Sequence, residues 1–290
     1  MSSPSERPIW RSMLFVPAHV EKYVQSAPTR GADACILDLE DSVPSAQKDN
    51  ARRLLAASVH ALARPGSGVI VRINAELPLR QADLDAAAIA GVHALMVPKV
   101  ESAATLQVIA GQLDALERAR GLPAGAIGLI AQIEHVGALP QMDAIASSTR
   151  RLFGMILGSE DFSVSAGMEP LPETLYGPNQ QLLFACRRAG ILPFGFPGSI
   201  SVFRDLAAFR EIILRARQMG FVGAYAIHPD QVAVMNELFA PSTEDLEWAR
   251  ELLAAHARAL DQGRGAFEFR GRMVDPPVVA RAQEALRRAS

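Results

Sequence analysis

Leu152-Phe153-Gly154-Met155-Ile156-Leu157-Gly158-Ser159-Glu160-Asp161 is a near-continuous apolar run that ends abruptly in two acids. A strand that is apolar at every position, not at every second one, is covered on both faces, as parallel strands under flanking helices are. Leu14-Phe15-Val16 and Val69-Ile70-Val71 have the same form. Working outward from these runs, the sequence predicts eight strands: Ser12–Ala18, Ala34–Glu40, Val69–Asn74, Ala94–Val100, Gly128–Glu134, Leu152–Gly158, Ile191–Gly195 and Gly223–His228. The segments between them read as helices. Ala103–Arg120 spaces Leu106, Ile109, Leu113 and Leu116 three or four apart, and Leu206–Gln218 does the same with Leu206, Phe209, Ile213 and Ala216. Gly91, Gly121, Gly190 and Gly220 stand where such helices should stop. Strand–helix alternation over eight rounds predicts an α/β fold, a (β/α)8 TIM barrel, with a doubly wound open sheet as the competitor.

The chain has 290 residues, 49% of them hydrophobic, enough for one barrel with a sizeable core. We expect a catalytic barrel domain over residues 1–240 and a C-terminal extension over 241–290. In the extension, Thr243–Ala259 reads as a helix with Ser242 or Thr243 as its N-cap; a Gly/Arg-rich stretch over 262–271 then leads to Met273-Val274-Asp275-Pro276-Pro277 and a last helix. A barrel closed by eight strands does not need this tail, so it is expected to lid the site or pack on an adjacent subunit. Ser163 to Asn179, broken by Gly167, Pro170, Pro172, Gly177 and Pro178, reads as a long functional loop. Lys plus Arg number 29 against 31 Asp plus Glu, and no basic stretch tracks a phosphate backbone, so no nucleic-acid partner is expected. Cys35 and Cys186 lie in apolar contexts outside any CxxC or His/Cys cluster, which predicts small buried residues and neither a disulfide framework nor a zinc site. No stretch approaches the roughly 20 apolar residues that span a bilayer, and no secretion signal is read, so a cytoplasmic protein without a membrane partner is expected.

The charged residues associated with strands gather at their C-terminal ends: Asp38-Leu39-Glu40-Asp41, Arg72-Ile73-Asn74, Pro98-Lys99-Val100-Glu101, Gln132-Ile133-Glu134, Glu160-Asp161 and His228-Pro229. That is the face on which barrel enzymes build their sites. So many carboxylates facing two cations, Arg72 and Lys99, repel one another unless more positive charge arrives. A divalent cation supplies it, and an all-oxygen ligand set favours Mg²⁺, with Mn²⁺ possible, over Zn²⁺. Simpler roles stay open: Asp41 as the cap of a following helix, Lys99 in an ion pair with Glu101 or Glu40, His228 as a core residue or a helix-start contact.

The same residues carry a family likeness. In order along the chain come Arg11-Ser12-Met13-Leu14-Phe15-Val16-Pro17, Leu37-Asp38-Leu39-Glu40-Asp41-Ser42-Val43, Val71-Arg72-Ile73-Asn74 and Val97-Pro98-Lys99-Val100-Glu101-Ser102. Ile133-Glu134, Gly158-Ser159-Glu160-Asp161-Phe162, Ala226-Ile227-His228-Pro229-Asp230-Gln231 and Gly271-Arg272-Met273-Val274-Asp275-Pro276-Pro277 follow. The chain resembles the citrate lyase β-subunit and malyl-CoA lyase group of the HpcH/HpaI aldolase superfamily.

The resemblance implies a divalent-metal-dependent carbon–carbon lyase on a barrel, acting on a hydroxy or keto acid, commonly as a 3-hydroxy-acyl-CoA thioester such as malyl-CoA or citramalyl-CoA. It implies Glu134 and Asp161 as metal ligands and Arg72 as the arginine that binds substrate oxygens. Glu40 and Asp41 would organise that arginine and the waters on the metal. Asp275 would be a catalytic acid/base delivered by the tail of an adjacent subunit in a homotrimer or hexamer. Phe15, Lys99 and Pro229 join Arg72 as expected substrate-binding residues. The alternatives are a pyruvate- or oxaloacetate-type aldolase without CoA, and a non-catalytic metal-binding homologue. Three stretches depart from the family pattern: Tyr176-Gly177-Pro178-Asn179 lacks its arginine, Phe194-Gly195-Phe196-Pro197-Gly198-Ser199 lacks its acid, and Pro17-Ala18-His19-Val20-Glu21 replaces its Pro-Gly-x-x-Pro. A substrate other than citryl-CoA or malyl-CoA is therefore expected.

Overall fold

The computed structural model describes residues 8–287. The chain divides into two compact units, Met1–Asn236 and Glu237–Ser290.

The first unit carries β1 (Ser12–Pro17), α1 (Glu21–Ser26), β2 (Ala34–Asp38), α2 (Lys48–Leu62), β3 (Gly68–Arg72), α3 (Leu79–Ala87), β4 (Ala94–Val97) and α4 (Ala103–Ala119). It continues with β5 (Gly128–Ile133), α5 (Met142–Ala146), β6 (Leu152–Leu157), α6 (Ser159–Ala166), α7 (Pro172–Ala189), β7 (Leu192–Phe194), α8 (Leu206–Met219), β8 (Ala224–Ala226) and the start of α9 (Pro229–Phe239). All eight strands are parallel, in the order β7-β6-β5-β4-β3-β2-β1-β8. β1 pairs with both β2 and β8, which a doubly wound sheet of this connectivity does not do. Two backbone bonds span the remaining seam: Gly195 N–H donates to the Gly223 carbonyl at 2.9 Å, and Val222 N–H to that of Pro193 at 3.1 Å. The sheet is thus a nearly closed (β/α)8 barrel.

The strand interiors are buried at almost every position: Ile36, Leu37, Val69, Ile70, Leu95, Met96, Leu129 and Ile130 are fully buried. This follows from their being covered by side chains on one face and by helices on the other. The helices bury one stripe each; in α4 these are Leu106, Ile109, Ala110, Leu113 and Glu117. Glu117, a charge on a core stripe, meets buried Arg151, whose Nη1 donates to Glu117 Oε1 at 2.8 Å and to the Ile127 carbonyl at 2.8 Å. Arg151 also binds Asp114.

Two expectations are corrected. Residues 163–179 do not form a long loop. Gly167, left-handed at φ 65°, ends α6, and Pro172 opens α7 at a position whose N–H needs no partner. Pro178 lies within α7, where burial of Leu175, Leu182, Leu183 and Cys186 outweighs the one hydrogen bond that the proline removes. Nor is 262–271 merely a connector.

In the second unit, α10 (Thr243–Asp261) starts from Ser242, whose Oγ accepts from Asp245 N–H in a capping box. β9 (Phe267–Phe269) and β10 (Arg272–Val274) then form an antiparallel hairpin, followed by α11 (Pro276–Arg287). Arg270 (φ 49°) and Gly271 (φ 74°) make its two-residue turn, and the mirror-image turns that match strand twist require positive φ at both places. Ala249, Leu252, Val274, Val279 and Ala282 form this unit's own core. Among the described residues, no helix is long and apolar enough to cross a membrane.

Candidate active site

Register builds the first part of the site. Asp38 and Arg72 are direct partners at the C-terminal ends of β2 and β3. Arg72 Nε donates to Asp38 Oδ1 and its Nη2 to Asp38 Oδ2, both at 2.7 Å, a bidentate pair inside a buried wall. Arg72 Nη1 lies 3.0 Å from Glu40 Oε2 and 3.6 Å from Asp41 Oδ2. The guanidinium is stacked over Phe15, 4.7 Å from the ring centre, and Phe15 in turn meets Tyr225 edge-on. Burial works against all these charges. For Asp38 the Arg72 guanidinium outweighs it and holds the carboxyl below its ordinary value; Arg72 is raised and stays charged.

Lys99 follows β4 with φ 51°, a left-handed conformation that costs a side-chain-bearing residue energy and that is concentrated at functional sites. From there its backbone N–H donates to Glu134 Oε2 at 2.8 Å, while its Nζ reaches Glu40 Oε1 at 2.9 Å. The ion pair open in the sequence is therefore made with Glu40; Glu101 instead faces His135 Nδ1 at 3.3 Å. Asp41 is half exposed, and Asp38, not Asp41, accepts the N–H groups of Glu40 and Ser42.

Glu134 directly follows β5 and is buried. Gln132, on the same strand face two residues earlier, donates from Nε2 to Glu134 Oε1 at 2.6 Å. Burial first, then the charges of Glu40 and Asp161, push the Glu134 carboxyl up to about 8. Gly158 is the only residue type that fits beside it, because a Cβ there would sit 2.6 Å from Glu134 Cγ. Asp161 was expected to close a strand. It lies instead in the first turn of α6, exposed, where the N–H groups of the helix start favour its negative charge.

A cavity of about 280 Å³ opens over these groups. Asp38, Arg72, Gln132, Glu160 and Asp161 line it together with the apolar groups of Phe15, Pro17, Ile200, Tyr225 and Ile227. The structure thus gathers Phe15, Glu40, Asp41, Arg72, Lys99, Glu134 and Asp161 at one end of the barrel. Of these, Phe15, Arg72 and Asp161 line the cavity, whereas Glu40, Asp41, Glu134 and Lys99, whose Nζ is turned onto Glu40, do not; nor does Pro229, which opens α9 two residues beyond Ile227. His228 makes a helix-start contact, its Nδ1 accepting from Asp230 N–H at 3.3 Å. Asp275 belongs to the second unit; it is exposed and its Oδ1 accepts from Val278 N–H at 3.4 Å, at the start of α11.

Asp38, Gln132, Tyr225, Ile200 and Ile227 join the site without a place among the residues expected from the sequence. For Asp38 and Gln132 a signal was present: Asp38 ends the strand beside Arg72, and Gln132 precedes Glu134 by one strand period. For Tyr225, Ile200 and Ile227 there was none, since apolar residues near strand ends are read as core.

The donor set fits a hard divalent ion. Glu134 is buried near two other carboxylates, and its raised proton affinity marks a place short of positive charge. Among the described residues no cage of three His, Cys, Asp or Glu closes around a point. Two carboxylates with room for water and substrate oxygens is the kind of site Mg²⁺ takes.

Known proteins resemble the chain along most of its length. The family model "HpcH/HpaI aldolase/citrate lyase" matches residues 11–229. The chain is 33% identical to the citrate lyase subunit beta of Leuconostoc mesenteroides subsp. cremoris, over 97% of this chain and 93% of that one. It is 34% identical to the L-malyl-CoA/beta-methylmalyl-CoA lyase of Rhodobacter capsulatus, over 94% and 91%. Among solved structures, the protein CitE from Mycobacterium tuberculosis in complex with magnesium, acetoacetate and coenzyme A superposes with a TM-score of 0.76 at 32% identity, covering 96% of this chain and 97% of that one.

Proposed function

The chain belongs to the HpcH/HpaI aldolase/citrate lyase family, and from that premise we propose that it is a Mg²⁺-dependent carbon–carbon lyase acting on a 3-hydroxy-acyl-CoA. One observation carries the reading: the Asp38-clamped Arg72 guanidinium opens onto the same cavity as Asp161, beside buried Glu134. Lyases acting on CoA thioesters among the relatives support the substrate class, and a neighbour in complex with magnesium supports the ion.

Glu134 and Asp161 would hold the cation. When bound, it acts as a Lewis acid on the oxygens of the acid product and offsets the local excess of carboxylates. The protein's own groups do the rest. A base removes the 3-hydroxyl proton, the C2–C3 bond breaks, C3 becomes a carbonyl carbon, and the electron pair passes to the thioester as an enolate that is then protonated at C2. Arg72 has five N–H donors, of which Asp38 takes one on Nε and one on Nη2. Nη1 also faces Glu40 Oε2 at 3.0 Å; the N–H groups left over from these pairs can bind the developing carbonyl in a plane that Asp38 and the Phe15 ring already fix. Glu40 and Asp41 keep Arg72 and Lys99 in place. Asp275, supplied by an adjacent subunit of a trimer or hexamer, is our acid/base.

The test is turnover of a panel of 3-hydroxy-acyl-CoA esters and free hydroxy acids, each with Mg²⁺, with Mn²⁺ and with a chelator. We expect Mg²⁺-dependent release of an acyl-CoA and a 2-oxo acid. Activity confined to free acids would establish a CoA-independent aldolase, and metal binding without any turnover a non-catalytic homologue.

A further inference from the structure

The lining of the cavity bears on which acid it takes. Arg72 is the one cation among the described residues that line it, and Asp38 already claims two of its donors. Ile200 and Ile227 supply apolar surface to the same lining. Tyr225 is buried, and its hydroxyl donates to the Leu157 carbonyl at 3.2 Å. Ile200 is buried, and Ile227 is 45% exposed. An isoleucine left that open on a cavity edge gains from any apolar group placed against it.

These isoleucines are held in position. Gln231 is fully buried and joins their two segments: its Oε1 accepts from Ile227 N–H at 3.0 Å and from His228 N–H at 3.2 Å, while its Nε2 donates to the Ile200 carbonyl at 3.0 Å. A buried amide with both ends satisfied locks the loop after β7 to the end of β8. The loop brings no positive charge to the cavity. Its hydroxyl Ser199 is turned onto Glu160 Oε1 at 2.5 Å.

We infer that Ile200 and Ile227, fixed by Gln231, select a substrate whose 2-oxo-acid half carries a short alkyl group, and exclude one that carries hydrogen or a second carboxylate there. A second carboxylate would be desolvated against isoleucine, in a cavity that already holds Glu160 and Asp161 and whose one lining cation among the described residues, Arg72, is paired with Asp38. A bare hydrogen would leave the apolar wall uncovered. The inference rests on the proposed lyase reading.

The experiment is calorimetric titration of the full chain, with and without Mg²⁺, using pyruvate, 2-oxobutyrate, glyoxylate and oxaloacetate as probes. One methyl or methylene in an apolar pocket is worth about tenfold or more, so pyruvate and 2-oxobutyrate should bind about tenfold more tightly than the other two. In Ile227→Ser, whose exposed position tolerates the change, the pyruvate-to-glyoxylate preference should fall to about unity with an unchanged melting temperature; in Ile200→Ala, a buried position where truncation lowers the melting temperature, the preference should fall likewise in protein still folded at the assay temperature. Glyoxylate or oxaloacetate binding as tightly as pyruvate would overturn the inference and leave the lyase reading standing. So would a preference that survives in both variants. If none of the four acids binds to folded, Mg²⁺-loaded protein, the lyase reading falls as well.

Discussion

Arg72 is the residue on which the proposed chemistry depends most. Its planar fork matches Asp38 on one edge, meets Glu40 through Nη1 and still has N–H groups over for substrate, a division that a lysine cannot reproduce. Arg72→Lys is expected to lower kcat/KM by about 10²–10³-fold, read in steady-state lyase assays, as loss of an oxyanion donor does. Asp38→Asn should act in the same direction, because the amide can no longer accept on both atoms. The sequence marked Arg72, Glu134 and Asp161, since charges at strand ends stand out. It could not say that Asp38 would be the partner, because that pairing is a matter of register between two strands. The cysteines make a separate residue-scale prediction. Burial pushes the Cys35 thiol up to about 11 and that of Cys186 up to about 12. Neither should react with a thiol reagent at pH 8 until denaturant is added.

At the scale of elements, the site is made where strands turn into the segments that follow. The β4 end turns through a left-handed Lys99, which aims a backbone N–H at Glu134, and β6 passes into α6 through Gly158, which leaves room for that carboxylate. Gly158→Ala is expected to displace Glu134 and weaken Mg²⁺ affinity about tenfold or more, the scale on which groups supporting a metal ligand act; competition with a fluorescent indicator would measure it. Away from the site, β6 is anchored by Arg151 against Glu117 of α4. Arg151→Ala leaves Glu117 buried without its partner and should cost about 3–5 kcal/mol in urea unfolding. Periodicity made the eight strands and α4, α8 and α10 legible, because each buries one regular face. It misread residues 163–179, where proline and glycine counted as breakers although one opens a helix, one ends a helix, and others are carried inside α7 by its buried stripe. The hairpin of the second unit escaped for a similar reason: its Gly/Arg composition reads as a connector until the strands on either side pair.

For the whole molecule, the test is how protons and subunits couple to the site. Glu134 holds its proton up to about pH 8, and a cation binds only the carboxylate. Below pH 8 each binding event must therefore release a proton, so Mg²⁺ affinity should rise about tenfold per unit from pH 6 to 8 and level off above it; calorimetry in buffers of differing ionisation enthalpy reads both effects. If Asp275 serves an adjacent subunit, mixing inactive Asp275→Asn and Arg72→Ala proteins under conditions that exchange subunits should restore part of the turnover, and separate incubations none. The sequence by itself determined that this chain makes parallel strands under helices, and that its acids collect at one set of strand ends, because burial and periodicity are local properties of composition and order. It also carried the family likeness, since those motifs are contiguous. Only the tertiary structure decided that the barrel closes between the segments around Gly195 and Gly223, that Asp38 clamps Arg72, and that Ile200 and Ile227 stand together behind Gln231. Each of those facts joins residues far apart in the chain, and such joins depend on register, seam and side-chain direction, which no local pattern encodes.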